Sequence, residues 1–319
     1  MNRLAVGTLR RIPWLIAAVI LAVTVIAVPA FRQFDYWLDI SEQYFAAAAL
    51  ALALMPIVLT GGIDLSVGSV TVFASVVIGA LGQQAHWPVE LAVAGGILAG
   101  LLAGLVNSSL VMIGIMPLVA TLATRELFRG LASTLVGEST RFRFAHGLHD
   151  LWEQPVAAVP LPLPVYAIGF LFVLTYLVVH HTWIGRMVYA IGDNEQAARF
   201  AGLPVLRIKL LLYAWCGFVA GLCGAALVVR HGAAKADAEQ SLELIAIACV
   251  VLGGVRITGG SGSVAGTLLG IVTVSVLLAG LTMVAATWRE SLTGALLIVV
   301  AVINEASNRW AERRAVEAA

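Results

Sequence analysis

The sequence predicts an all-α, polytopic integral membrane protein of about ten transmembrane helices with its N- and C-termini cytoplasmic. Three observations predict it. Of 319 residues, 61% are hydrophobic and 12% charged, whereas a soluble domain is about 45–50% apolar and about 25% charged. Mean hydropathy is +0.97, so the charges are too few to cover a surface facing water. The apolar residues also fall in runs near the ~20 residues that a helix needs to cross a bilayer core of ~30 Å.

Candidate spans cover 13–30, 44–60, 67–83, 88–111, 117–137, 161–180, 207–229, 243–256, 264–287 and 291–305. The first follows Arg3, Arg10 and Arg11 and ends in Val28-Pro29-Ala30, like a signal peptide. Its apolar run exceeds the ~7–15 residues of a signal core and more spans follow, so it reads as an uncleaved first helix. The fifth span carries Arg125, Glu126 and Arg129, and the eighth is short and runs into Gly253-Gly254. Both are candidates for half-helices or for helices buried among others. No linker-like shift in composition interrupts the chain, so residues 1–319 read as one transmembrane domain.

Charge tests the count, because basic residues gather in cytoplasmic loops. Ten spans place 181–206 and the C-terminal tail inside, with Arg186 and Arg199 in the loop, Arg207 and Lys209 just beyond it, and Arg309, Arg313 and Arg314 in the tail. The outer segment 31–43 holds one Arg against Asp35, Asp39 and Glu42, and outer 230–242 balances Arg230 and Lys235 with Asp237 and Glu239. Dropping one span would put the C-terminal arginines outside. The polar stretch at about 138–160 reads as a solvated outer loop, and its His146 and His149 lack the further ligands of a metal site. A net charge of +1 excludes a nucleic-acid partner, for want of a basic face. Cys216, Cys223 and Cys249 lie in apolar runs and read as small core residues.

Three constellations stand out. In Thr60-Gly61-Gly62-Ile63-Asp64-Leu65-Ser66-Val67-Gly68-Ser69, two glycines end a helix and Asp64 reads as the N-cap of the next. A second reading gives Asp64 a gating or coupling role, since a charge at full membrane depth costs about 2.5–3.5 kcal/mol. In the run from Gly185 and Arg186 through Gly192, Asp193, Asn194 and Glu195 to Arg199 and Gly202, Asp193 with Gln196 reads as a capping box. Gly202 then suits the C′ position and Pro204 ends the helix, giving about two cytoplasmic turns. The third run, Val250 to Gly270, contains Gly253, Gly254, Gly259, Gly260 and Gly266 and fits a junction where helices approach closely. Thr258-Gly259-Gly260 before Ser263-Val264 also echoes Thr60-Gly61-Gly62 before Ser66-Val67, as corresponding half-helices of a repeat would.

These motifs, with Pro117-Leu118-Val119-Ala120-Thr121-Leu122 and Phe128-Arg129-Gly130-Leu131-Ala132, resemble in order the permease subunits of bacterial ABC importers for monosaccharides, including the ribose, rhamnose and autoinducer-2 systems. The resemblance runs from the second span to the ninth. It implies the inner (cytoplasmic) membrane, a transport rather than enzymatic role, ATP hydrolysis on separate ABC ATPase subunits, a second permease in a homodimer or heterodimer, and a periplasmic substrate-binding protein. It makes 181–206 the ATPase-coupling loop, with Asp193, Glu195 and Arg199 as contacts, and 138–160 a periplasmic loop. No cofactor is called for. Arg256, Ser108 and Ala279 depart from the family pattern, where small or hydroxyl residues, glycine and asparagine are usual.

Two other classes are weighed. Gly259-Gly260-Ser261-Gly262 fits a membrane serine protease, but no histidine follows Ser261 to serve as base. A secondary, ion-coupled transporter of a small polar solute would place ionisable groups among the helices, where Arg125, Glu126 and Arg129 are the chief candidates. The lysines, Lys209 and Lys235, follow no glycine-rich turn, so the chain carries no Walker loop. Asn107, Thr121 and Thr124, in apolar spans, are candidates for a translocation path, with helix–helix hydrogen bonding as the alternative.

Overall fold

The computed structural model describes residues 12–137, 141–143, 161–238 and 241–285, with isolated positions at 291, 294 and 295. The helices in chain order are α1 (Ile12–Ala27), α2 (Phe34–Gln43), α3 (Phe45–Leu59), α4 (Val67–Gly79), α5 (Val89–Met112), α6 (Pro117–Val136), α7 (Leu163–His181), α8 (Trp183–Asp193), α9 (Glu195–Phe200), α10 (Val205–His231), α11 (Leu242–Leu252) and α12 (Val264–Ala285). A short antiparallel ribbon, β1 (Arg141–Arg143) with β2 (Ala233–Lys235), pairs Phe142 with Ala234. The ribbon is a departure from the all-α expectation. It joins the two segments expected to lie outside.

Among the described residues five helices are long and apolar enough to cross a membrane, or six if the α2–α3 pair, bent by 60°, is one span. The expected spans map onto helices with three corrections. The second begins in α2, so 31–43 is a 3-10 turn and a helix rather than a plain loop. The fifth is one 20-residue helix, not a half-helix, and its three charges set it apart from the apolar five. The eighth ends at Leu252 and has 11 residues, about 16 Å at 1.5 Å per residue, too short to cross alone. The tenth span falls outside the described residues except for positions 291, 294 and 295.

The core forms around α3, all of whose residues are buried. Its sequence is apolar on every side, which suits a helix surrounded by others. Against it lies α10, and α10 crosses α5 where glycines meet: Cβ atoms added at Gly100 or Gly217 would fall 2.6 Å from the Gly217 oxygen or onto the Gly100 oxygen. Gly96, Gly100 and Gly104 recur every fourth residue, the small-residue spacing that lets backbones touch without hydrocarbon between them. Cys216, Cys223 and Cys249 are buried as expected.

Contacts define two ends. At one, Gly260 N donates to Leu59 O at 2.9 Å and Tyr189 Oη to Gly262 O at 2.8 Å. At the other, a Cβ at Gly79 would strike the Phe142 ring and Arg230 Nη1 donates to Gln43 O at 3.1 Å. From α3 to α7, and again from α10 onward, successive long helices run alternately toward and away from the first end.

Candidate functional site

The three glycine motifs, far apart in sequence, converge at one end. Gly61 (φ +75), Gly259 (φ +90) and Gly260 (φ +78) adopt left-handed backbone, which glycine takes without steric cost. A Cβ at Gly259 would lie 2.7 Å from Gly61 N, and one at Gly260 3.2 Å from Asp193 Cα. The last turn of α8 packs against both, because a Cβ at Gly192 would overlap the Leu59 carbonyl oxygen and lie 2.5 Å from Gly260 N. Gly253 and Gly266 give the same close approach between α11 and α12, and Gly185 turns α8 under the Val179 carbonyl. The two echoing motifs therefore face each other, and each is followed by a helix that starts at valine, Val67 or Val264.

Asp64 does not cap α4. Ser66 is the residue before the helix and makes no side-chain cap. Instead Asp64 Oδ1 accepts from Ser66 N at 2.8 Å and Ser66 Oγ at 2.7 Å. The chain continues inward: Asn107 Nδ2 donates to Ser66 Oγ at 2.6 Å, and Thr124 Oγ1 to Asn107 Oδ1 at 2.6 Å. Thr121 Oγ1 accepts from Leu65 N at 3.1 Å. Asp64, Ser66, Asn107, Thr121 and Thr124 are all buried. Asn107 and Thr124 thus bond to each other and to Ser66, and Thr121 to the backbone at Leu65, tying the start of α4 to α5 and α6.

The coupling segment is mostly helical, with α8 followed at once by α9. The capping expectation is off by one residue: α8 runs through Asp193, and Asn194 takes the extended backbone (φ −158, ψ 101) and accepts from Ala197 N at 2.9 Å. Gln196 is therefore not at the third helical position that a capping box needs. Gly202 has φ +79, with Gly202 N donating to Arg199 O and Leu203 N to Ala198 O, the double bond of a Schellman ending. Glu195 is held inward by Arg199 Nη2 and Lys209 Nζ, each at 2.7 Å. Burial raises its carboxyl, but the hydrogen bonds from Lys209 and Arg199 outweigh that and leave it below the usual carboxylate range. Arg186, Asp193 and Asn194 are exposed, and Phe200 is 93% exposed.

Sequence reasoning missed Glu243. It lies in the first turn of α11, is 1% exposed, and its Oε1 accepts from Arg125 Nε at 2.8 Å. Gly68 is glycine because its Cβ would occupy the place of Glu243 Oε2. A lone acid in an apolar run beside Arg125 was the available signal. No group of three metal-ligating side chains occurs among the described residues, and His146 and His149 lie outside them.

Apolar helices that meet at a glycine-lined junction define a multi-pass membrane protein. The chain belongs to the family of branched-chain amino acid transport system / permease components, matched over residues 39–301. It is 37% identical over 289 residues, 86% of each chain, to the Autoinducer 2 import system permease protein LsrD of Yersinia enterocolitica serotype O:8 / biotype 1B. It is 34% identical over 325 aligned positions to the protein of that name from Yersinia pseudotuberculosis serotype O:3, covering 96% of this chain and 97% of that one. No solved structure matches the chain.

Proposed function

We propose that the chain is the permease subunit of an ATP-driven ABC importer that carries a monosaccharide or sugar-like small molecule of the ribose, rhamnose or autoinducer-2 class across the bacterial inner membrane. The relatives' shared name, an autoinducer 2 import system permease, makes autoinducer 2 the first solute to test. The single observation that carries the reading is the close packing of α8 against both glycine turns where they meet. A partner that pushes on α8–α9 moves both junctions at once.

That partner is an ABC ATPase seated on 181–206, with Arg186, Asp193, Arg199 and Phe200 as the contacts and Glu195 as the residue that braces α9 onto α10. A second permease and a periplasmic binding protein complete the assembly. Ten spans with both termini cytoplasmic remain the proposed topology. The β1–β2 pairing supports it, because it joins two segments that this topology puts on the same side.

The test is a pull-down of the tagged chain from native membranes, comparing wild type with Phe200→Ala. Recovery of an ATPase and a second permease with wild type, and loss of the ATPase with Phe200→Ala at unchanged permease abundance, is the expected result. Recovery of the chain alone, with uptake that survives ATP depletion and stops with an ionophore, would establish the ion-coupled alternative.

A further inference from the structure

We infer that Arg125, Glu126, Arg129 and Glu243 form an intramembrane subsite for a neutral, polyhydroxylated solute, an inference that rests on the importer reading above.

The cluster sits at depth. Arg125 is about 12 Å along α6 at 1.5 Å per residue, near the middle of a bilayer core of ~30 Å. Charges there are costly, and they mark solute or ion pathways unless they serve only to pair helices. Two helices bring their N-termini to this point, since Glu243 in the first turn of the short α11 lies against Gly68 in the first turn of α4. Helix N-termini that meet within the membrane are how transporters build solute sites.

Unmade hydrogen bonds mark this cluster, as they do the Tyr213 hydroxyl, and set it apart from the Asp64 network. Asp64, Ser66, Asn107 and Thr124 are joined to one another. Glu243 Oε2, by contrast, is buried with no partner among the described residues, as are Nε and Nη2 of Arg129, one turn beyond Arg125. Each such group left unmade is expensive, so these three atoms are kept for something that binds. Two guanidinium and two carboxylate groups sum to no net charge, which favours a neutral ligand over an ion. Adjacent hydroxyls suit them, since each can donate to a carboxylate oxygen and accept from a guanidinium.

Access is gated in this structure. Protein atoms close over Glu243 Oε2, while the side chains of Glu126 (65% exposed) and Arg125 (30% exposed) form an open rim. The short α11 ends in Gly253 and Gly254, the latter at φ +82, so its motion opens the carboxylate to a solute and returns it to Gly68.

The experiment uses cells that carry the complete import system and measures depletion of autoinducer 2. Arg129→Gln is expected to raise the half-maximal concentration roughly tenfold, the loss of one hydrogen bond to a charged group, with abundance and maximal rate unchanged. Glu126→Cys is expected to react with a charged, membrane-impermeant methanethiosulfonate and to be protected by autoinducer 2; the native cysteines are buried. A lowered maximal rate of Arg129→Gln at constant half-maximal concentration would mean a structural role and overturn the inference. So would a Glu126→Cys thiol that never reacts, because the face would then be dry. If wild type takes up no autoinducer 2, that choice of solute fails instead. Protection of the thiol by ribose or rhamnose then upholds the subsite, and its absence overturns it.

Discussion

Replacing Gly192 with alanine sets one methyl group against two segments of backbone at once. The added Cβ overlaps the Leu59 carbonyl oxygen, lies 2.5 Å from Gly260 N and 3.0 Å from the Leu59 carbonyl carbon. None of these atoms is the end of a flexible side chain, so α8 itself must withdraw. That Leu59 oxygen accepts from Gly260 N at 2.9 Å, and Tyr189 on the same helix donates to Gly262 O at 2.8 Å. Overpacking costs about 1–3 kcal/mol and each displaced hydrogen bond about 1 kcal/mol, so the substitution destabilises the junction by roughly 3–5 kcal/mol. The control is Gly130→Ala, in mid-α6 with nothing within 4 Å of the new methyl, where alanine stabilises a helix by about 0.5–1 kcal/mol. Thermal unfolding of the detergent-purified chain, with uptake measured in parallel, reads the difference. Gly192→Ala is expected to lower the apparent Tm by roughly 5–10 °C and to abolish uptake, while Gly130→Ala does neither. Equal behaviour of the two variants would refute the close packing.

Three further outcomes follow from the geometry. Asn194→Ala removes the cap of α9 and costs about 1 kcal/mol, whereas Asp193→Ala is close to neutral; hydrogen exchange at Ala197 and Ala198 distinguishes them, and the reverse order would restore Asp193 as the cap. The depressed Glu195 carboxyl contributes stability fully above the ordinary carboxylate range and loses it as pH falls through its lowered value. The Tm advantage of wild type over Glu195→Gln should therefore be flat near neutrality and shrink in acid, and an advantage that grows in acid would contradict the pairing with Lys209 and Arg199. Thr124→Val leaves Asn107 Oδ1 buried without its donor, a loss of about 1–3 kcal/mol readable in the same melting assay; an unchanged Tm would show that this bond contributes nothing.

Composition and periodicity reached the long helices because a bilayer rewards any apolar run of sufficient length, whatever surrounds it. The glycine turns were equally legible, as residues that alone tolerate the backbone at Gly61, Gly259 and Gly260. The cap was missed by one position: Asp193 and Asn194 are both good cap residues, and what chose between them was how far the packing of α8 against α3 carried the helix. Asp64 was misread as a cap for a similar reason, since its partner Ser66 is itself fixed by Asn107 on another helix.

The sequence by itself determined that the chain is a helical membrane protein and where its backbone bends, because both follow from local composition, and its motifs carried the resemblance to permeases. Only the tertiary structure decided that three distant glycine motifs form one junction, that Asn107, Thr121 and Thr124 hydrogen-bond between segments, and that Glu243 meets Arg125. Arg125 and Glu243 are 118 positions apart, and Leu59 and Gly260 are farther apart still. No local propensity encodes these pairings; they arise from which helix faces can approach closely enough to exclude lipid.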